Sequence, residues 1–238
     1  MENMIKEVIV VGGGASIAPQ IEVLRPILAS KCTILINYAY KHFDGTFLTY
    51  IDKDFYVPLW AKENRNKNNV DIYKELESLP LIIGFQEHHG YDDFLHPNTY
   101  LIDNPKKEMG RFPLTGFFAL AIAEKLEPNN IFLLGFDWPR QPVPKNVRDY
   151  NPNSGGDIHY YKDIPHRGIS FTGFYDNNNP DSYFKFFKDC KSNIYNVSLE
   201  SNIQNFKKIG YSDFYTLLSN ENYNQEELRT YIKSKLNI

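Results

Sequence analysis

The sequence predicts an α/β fold: a single doubly wound, mostly parallel sheet of Rossmann-like type, with helices on both faces. Three observations lead there. Short apolar runs rich in β-branched residues recur without polar alternation, as in strands buried on both faces. Segments with helical spacing separate these runs, and such alternation produces parallel sheets. The first run, V-I-V-V-G-G-G-A-S-I over 8–17, breaks at its carboxyl end into three glycines and a serine, as a strand does when it turns tightly over a ligand.

The elements follow in order. Ile5–Val11 reads as a buried strand, and Gln20–Ala29 as a helix carrying Ile21, Leu24, Ile27 and Leu28 at helical spacing. Cys32–Ile36 and Thr46–Tyr50 are short apolar strands, and Ile72–Leu79 is a helix followed by the strand P-L-I-I-G. Phe117–Leu126 is apolar nearly all round, which marks a buried helix. Ile131–Leu134, closed by Gly135, is a further strand. From Trp138 to Pro180 the chain turns to Pro, Asn and Gly with few aliphatic residues, so a long lid segment is expected over 138–180. Tyr183–Phe187 is helical, Ile194–Ser198 a strand, and the tail forms helices. The chain shows neither repeats nor a clear domain boundary, so its 238 residues are expected to form a single domain, 1–238, with the lid as an insertion.

The bulk properties exclude several classes. The 26 basic and 29 acidic residues leave a net charge of −3, which gives no broad surface for nucleic acid. No apolar run approaches the roughly 18 residues of a membrane span. The opening M-E-N-M-I-K-E lacks a signal peptide's basic head and apolar body, so a cytoplasmic protein is expected. Cys32 and Cys190 are the only cysteines, too few for a disulfide framework or a zinc site; both are expected to be buried.

In an open parallel sheet the ligand lies outside the carboxyl ends of the strands. Gly12–Ser16, Asn37, Asp52 and Asp137 fall at such ends. The glycine turn is not a dinucleotide fingerprint: Gly12 and Gly14 fit, but Ile17 stands at the third glycine and Asn37 where an acidic residue would hold a ribose. Nor is it a Walker loop, because no Gly-Lys-Ser/Thr follows. What remains is a turn of Gly12, Gly13 and Gly14 exposing backbone N–H groups, with Ser16 either donating to a ligand oxygen or capping the next helix. Thr115 stands where the buried helix begins, and there it either helps hold an anion or serves as N-cap. In I-H-Y-Y-K-D-I-P-H-R-G over 158–168, His166 beside Arg167 and near Tyr160 is a candidate general base, or else a surface histidine. His159 is a weaker candidate, and Glu87–His89 make a poor metal site because adjacent strand residues point to opposite faces. No metal ligands are assigned.

These motifs, in this order, resemble the bacterial sialyltransferases of the small single-domain type and the wider MptE-like group, named for a 6-hydroxymethylpterin diphosphokinase. The resemblance runs through V-I-V-V-G-G-G-A-S-I, I-L-I-N, T-G-F-F-A-L-A-I-A, I-F-L-L-G-F-D-W, H-Y-Y…H-R-G and I-Y-N-V-S-L-E-S-N-I. It implies that Gly12, Gly13, Ser16 and Asn37 approach a cytidine nucleotide donor. It implies that Thr115 faces that donor, with Arg111 near a family arginine, and that His166 is the base on the acceptor hydroxyl. From the MptE-like group it implies a role for Asp52. The sequence departs from the family at Gly13, where the family has asparagine, and at its lid tyrosines, which have no clean partners; Arg140, Lys145 or Arg148 can neutralise the leaving phosphate instead.

The function this implies is a metal-independent, inverting glycosyltransferase. It would use a nucleotide-activated, CMP-linked sugar as donor substrate and a hydroxyl-bearing acceptor, with no cofactor. The alternatives are a Mg²⁺-dependent diphosphokinase, with Asp52, Asp54 and Asp137 as its available carboxylates, and a catalytically inactive nucleotide-binding protein.

Overall fold

A computed structural model describes residues 4–51, 74–85, 97–110, 112, 114–137 and 181–238. Its strands are β1 (Glu7–Val11), β2 (Thr33–Ile36), β3 (Phe47–Tyr50), β4 (Ile82–Phe85), β5 (Thr99–Ile102), β6 (Asn130–Leu134), β7 (Asn193–Asn196) and β8 (Lys207–Lys208). Its α-helices include α1 (Ile21–Ser30), α2 (Thr115–Lys125), α3 (Asp181–Phe184), α4 (Tyr211–Leu217) and α5 (Gln225–Leu236). The strands form one sheet in the order β5-β4-β3-β2-β1-β6-β7-β8, and every neighbouring pair is parallel. The doubly wound, Rossmann-like architecture expected from the sequence is what the chain adopts.

Alternation along the strands feeds two apolar layers. Val8, Val10, Ile34, Ile36, Ile83, Ile131 and Leu133 face α2, α3 and α5. Ile9, Val11, Leu35, Leu48, Ile82, Phe132 and Leu134 face α1 and α4. Helix α2 is buried from Phe117 to Ala123 because it is covered on both sides. The strands lie beneath it, and α3 lies over it with the Phe184 ring 4.6 Å from that of Phe117. A helix enclosed in this way needs no polar face, which is why its sequence shows none.

The sheet order reverses between β1 and β6: the chain winds outward from β1 to β5, then crosses back to build β6, β7 and β8 on the other side. Register aligns Val11 with both Leu35 and Leu134, so β1, β2 and β6 end at one level. The topological switch point therefore lies at the carboxyl ends of β1 and β6, where open α/β sheets bind ligands.

At the opposite end a buried ion pair joins strand to linker. Glu7 and Lys31 stand 3.5 Å apart with side chains only 2% and 6% exposed. The Ser219 hydroxyl donates to Glu7 at 2.7 Å, and Lys31 donates to the Ser219 carbonyl at 2.6 Å and to the Glu221 carbonyl. These bonds hold the α4–α5 connection against the start of the sheet.

Some boundaries differ from expectation. A 3₁₀ helix, Ala15–Gln20, precedes α1, because Pro19 and the glycine turn delay regular helix to Ile21. The edge strands β5 and β8 have no counterpart in the sequence reading. Cys32 is buried as expected, but Cys190 is only half-buried. The expected helix over 72–79 is described from residue 74 and is helical over 74–77. The lid segment over 138–180 lies outside the described residues. Among the described residues, no helix is long and apolar enough to cross a membrane.

Candidate functional site

Sheet-like pairing continues past β1 into the glycine turn. The Gly12 N–H donates to the Leu134 carbonyl at 2.8 Å, and the Gly14 N–H to the Gly135 carbonyl at 2.9 Å. Gly135 sits at φ +68°, in left-handed backbone that favours glycine, and a Cβ there would stand 2.6 Å from Ile17 Cδ1. A Cβ on Gly14 would stand 2.5 Å from a carboxylate oxygen of Asp137. The two chain reversals after β1 and β6 thus fit only because neither carries a side chain at its point of contact.

The donors of Ser16, like the N–H groups of Gly12 and Gly14, are satisfied within the protein. The Ser16 N–H donates to Asp137 Oδ2 at 2.8 Å, and the Ser16 hydroxyl to Asp137 Oδ1 at 2.5 Å. Asp137 thereby caps the 3₁₀ helix Ala15–Gln20 from another strand end, giving its amino terminus the negative charge that helix dipoles favour. Ser16 lies inside the 3₁₀ helix, whose cap position is Gly14, so it is not the N-cap; its hydroxyl and N–H donate to Asp137. Tyr211, the first residue of α4, packs beside the pair. Burial chiefly, and then the Asp137 charge, push its phenol well above the usual range, with Tyr215 adding and Ser16 opposing.

The segment carrying Asp137 is itself fastened. Asn196 Nδ2 and the Ser201 hydroxyl donate to the Phe136 carbonyl at 3.0 and 2.7 Å. The Asn202 N–H donates to the Asp137 carbonyl at 3.0 Å. Asn196 also donates to Ser201 Oγ at 2.9 Å, and Lys208 Nζ to the Ser201 carbonyl at 2.5 Å. The loop from β7 to β8 thus anchors the end of β6. Asn196, Ser201 and Asn202 lie in I-Y-N-V-S-L-E-S-N-I, a stretch singled out in the sequence only for its family resemblance and with no role given to these three residues.

The Phe136 ring joins the glycine turn to α2. Cβ atoms added at Gly12 and Gly116 would stand 3.2 and 3.1 Å from its ring carbons, so the ring lies against both. Thr115, 4% exposed, is the first helical residue of α2, while Leu114 occupies the cap position and offers no side-chain bond. Thr115 is therefore not the N-cap, one of the two roles the sequence allowed it. Asn37 ends β2 at φ +50° and opens the 3₁₀ helix Asn37–Lys41. Asparagine tolerates that left-handed conformation better than most residues do.

The structure therefore brings Gly12, Gly13, Gly14, Ser16 and Thr115 to the β1/β6 switch point together with Phe136 and Asp137, and Asn37 stands at the neighbouring strand end. Asp52, Arg111, Arg140, Tyr160 and His166 lie outside the described residues, as do His159 and Glu87–His89. Among the described residues, no three His, Cys, Asp or Glu side chains gather as a metal site.

This arrangement has a solved counterpart in fold. The chain is similar to the MAf glycosyltransferase from Magnetospirillum magneticum AMB-1, with a TM-score of 0.56 and 15% identity. The match covers 99% of this chain but 38% of that one, so the chain spans well under half of its counterpart's length. At that identity the likeness is one of fold. No protein-family model and no curated protein matches the sequence.

Proposed function

We propose that the chain is a glycosyltransferase that moves a sugar from a nucleotide-activated donor to an acceptor hydroxyl without a metal. The observation that carries this reading is the crevice at the β1/β6 switch point. There the glycine turn and the amino terminus of α2 converge on Phe136, within a fold shared with a protein named as a glycosyltransferase. The resemblance to the small sialyltransferases supports a CMP-linked donor and inversion at the anomeric carbon.

In this reading the nucleotide lies across the strand ends between Asn37, the glycine turn and Thr115. The first-turn N–H groups of α2 and the cations Arg111 and Arg140 stabilise charge on the departing phosphate. His166 takes the proton from the acceptor hydroxyl as its oxygen attacks, and Tyr160 donates toward the leaving group. The C–O bond to phosphate breaks as the new glycosidic bond forms, so no redox partner is needed.

A second reading, a Mg²⁺-dependent diphosphokinase, draws on the Asp137 carboxylate, which stands in the same crevice. The test is release of nucleoside phosphate from nucleotide sugars in EDTA with a panel of hydroxylated acceptors. Turnover in EDTA that falls about 10²-fold or more in His166→Ala supports sugar transfer with a histidine base. Turnover only of ATP, and only with Mg²⁺, overturns it in favour of the diphosphokinase. Nucleotide binding with no turnover of any donor overturns both enzymatic readings.

A further inference from the structure

We propose that Asp137 is a specificity-determining residue that reads the vicinal hydroxyls of the bound substrate, rather than leaving the glycine turn to receive phosphate. This rests on the proposed nucleotide-sugar reading and assigns the part of the substrate that meets this turn.

Ser16 has no donor left for a phosphate. The Ser16 N–H and hydroxyl, the groups that would reach for a phosphate oxygen, are both bonded to Asp137. The helix they open, Ala15–Gln20, has six residues of 3₁₀ geometry and already carries its anion. A phosphate brought to the same place would meet a carboxylate of like charge and would have to displace it. Phosphate is therefore the poorest occupant of this half of the crevice.

The carboxylate suits a hydroxyl donor. An ionised carboxylate has about four acceptor positions, and Ser16 fills two of Asp137's. No ion pair to Asp137 occurs among the described residues. Its orientation is fixed from both sides: Ser16 grips the two oxygens, while Asn202 holds its carbonyl and Asn196 and Ser201 hold that of Phe136. A pinned, half-buried acceptor that, among the described residues, keeps lone pairs beyond those Ser16 fills and meets no countercharge recognises O–H groups that donate to it. Two adjacent hydroxyls on one ring match its two oxygens. Sequence reasoning looks for such an acid at the end of β2, where this chain has Asn37; here the carboxylate stands at the end of β6, across β1.

Such a diol comes either from the ribose of the nucleotide or from the transferred sugar. Calorimetric titration separates them, using CMP, 2′-deoxy-CMP and a CMP-sugar, then the corresponding UDP compounds, all in EDTA. The proteins are wild type, Asp137→Asn and Ser16→Ala. The Asn variant still accepts from the Ser16 N–H, so the turn keeps its cap. The Ser16→Ala variant keeps the carboxylate but loosens it.

The expected result is ribonucleotide binding about tenfold or more tighter than deoxyribonucleotide in wild type, the scale of a lost charge-assisted hydrogen bond. That ratio should fall toward one in Asp137→Asn and fall part-way in Ser16→Ala. A merely structural role would weaken both nucleotides alike and leave the ratio unchanged, which overturns the proposal. If the ratio is already one in wild type but Asp137→Asn weakens only the nucleotide sugar, the diol is the sugar's and the proposal stands with that source. Discrimination that appears only with Mg²⁺ makes Asp137 a metal ligand and overturns it. If no nucleotide binds to wild type, the nucleotide reading itself has failed. Equal binding of all ligands to all three proteins overturns the diol inference alone.

Discussion

Gly14 shows how closely the crevice is built at the scale of one residue. A methyl group there would meet an Asp137 oxygen at 2.5 Å and the Gly135 carbonyl at 2.6 Å, and neither neighbour is a free side-chain tip. Gly14→Ala is therefore expected to destabilise the fold by roughly 2 kcal/mol or more, as overpacking against fixed backbone does. Urea unfolding checks this, and a change below ~0.5 kcal/mol would mean the turn relaxes freely. The two cysteines give a second residue-scale expectation. Burial, reinforced by Glu7, raises the Cys32 thiol far above its ordinary value, so almost no thiolate exists near pH 8. Cys190 is also raised by burial but is only half-buried. With a thiol reagent at pH 8, native protein should label slowly at Cys190 and not at Cys32, and denaturant should release both. At this scale the sequence was informative about donors and silent about their partner. Ser16 can be picked out as a donor after a glycine turn, but Asp137 lies 121 positions away and meets it only because β1 and β6 are neighbours.

At the scale of elements, the loop after β7 sets where the β6 end stands. Asn196 is fully buried and donates to both the Phe136 carbonyl and Ser201. Asn196→Ala should cost ~1–3 kcal/mol, because it leaves a buried carbonyl short of a donor. If the crevice binds nucleotide as proposed, it should also weaken that binding. At the far end of the sheet, Lys31→Met should destabilise by ~3–5 kcal/mol, since it strands the Glu7 carboxylate in a buried site. The double variant Glu7→Gln, Lys31→Met should recover part of that loss, and denaturant melts of both proteins decide it. Strands β1, β2, β3 and β6 were readable because a strand buried on both faces must be continuously apolar. The same logic concealed β5, whose Thr99, Tyr100 and Leu101 are half-exposed at the sheet edge. It also concealed β8, which is two lysines long. Edge strands are held by pairing to a neighbour, and that leaves little trace in local composition.

At the scale of the whole molecule, the eight-stranded parallel order places one switch point at β1/β6 and gathers the residues described above there. The fold class, and the placing of the glycine turn at the switch point, were legible from the alternation of runs and the glycines at strand ends. The ligand was not, because it depends on contacts between segments distant in the sequence; Asp52, Arg111, Arg140, Tyr160 and His166, the residues proposed to meet it, lie outside the described residues. The switch point is proposed to hold a nucleotide without a metal. Thermal unfolding with CMP, CDP, UDP, GDP, AMP and ATP, each with EDTA or with Mg²⁺, tests it most directly. A bound nucleotide at 100 times its Kd should add about 2.7 kcal/mol, a rise of roughly 5 °C or more for a chain of this size. The result predicted here is stabilisation by CMP or another nucleoside phosphate in EDTA, undiminished when Mg²⁺ is absent. Stabilisation by ATP alone and only with Mg²⁺, or no shift with any nucleotide, would contradict it.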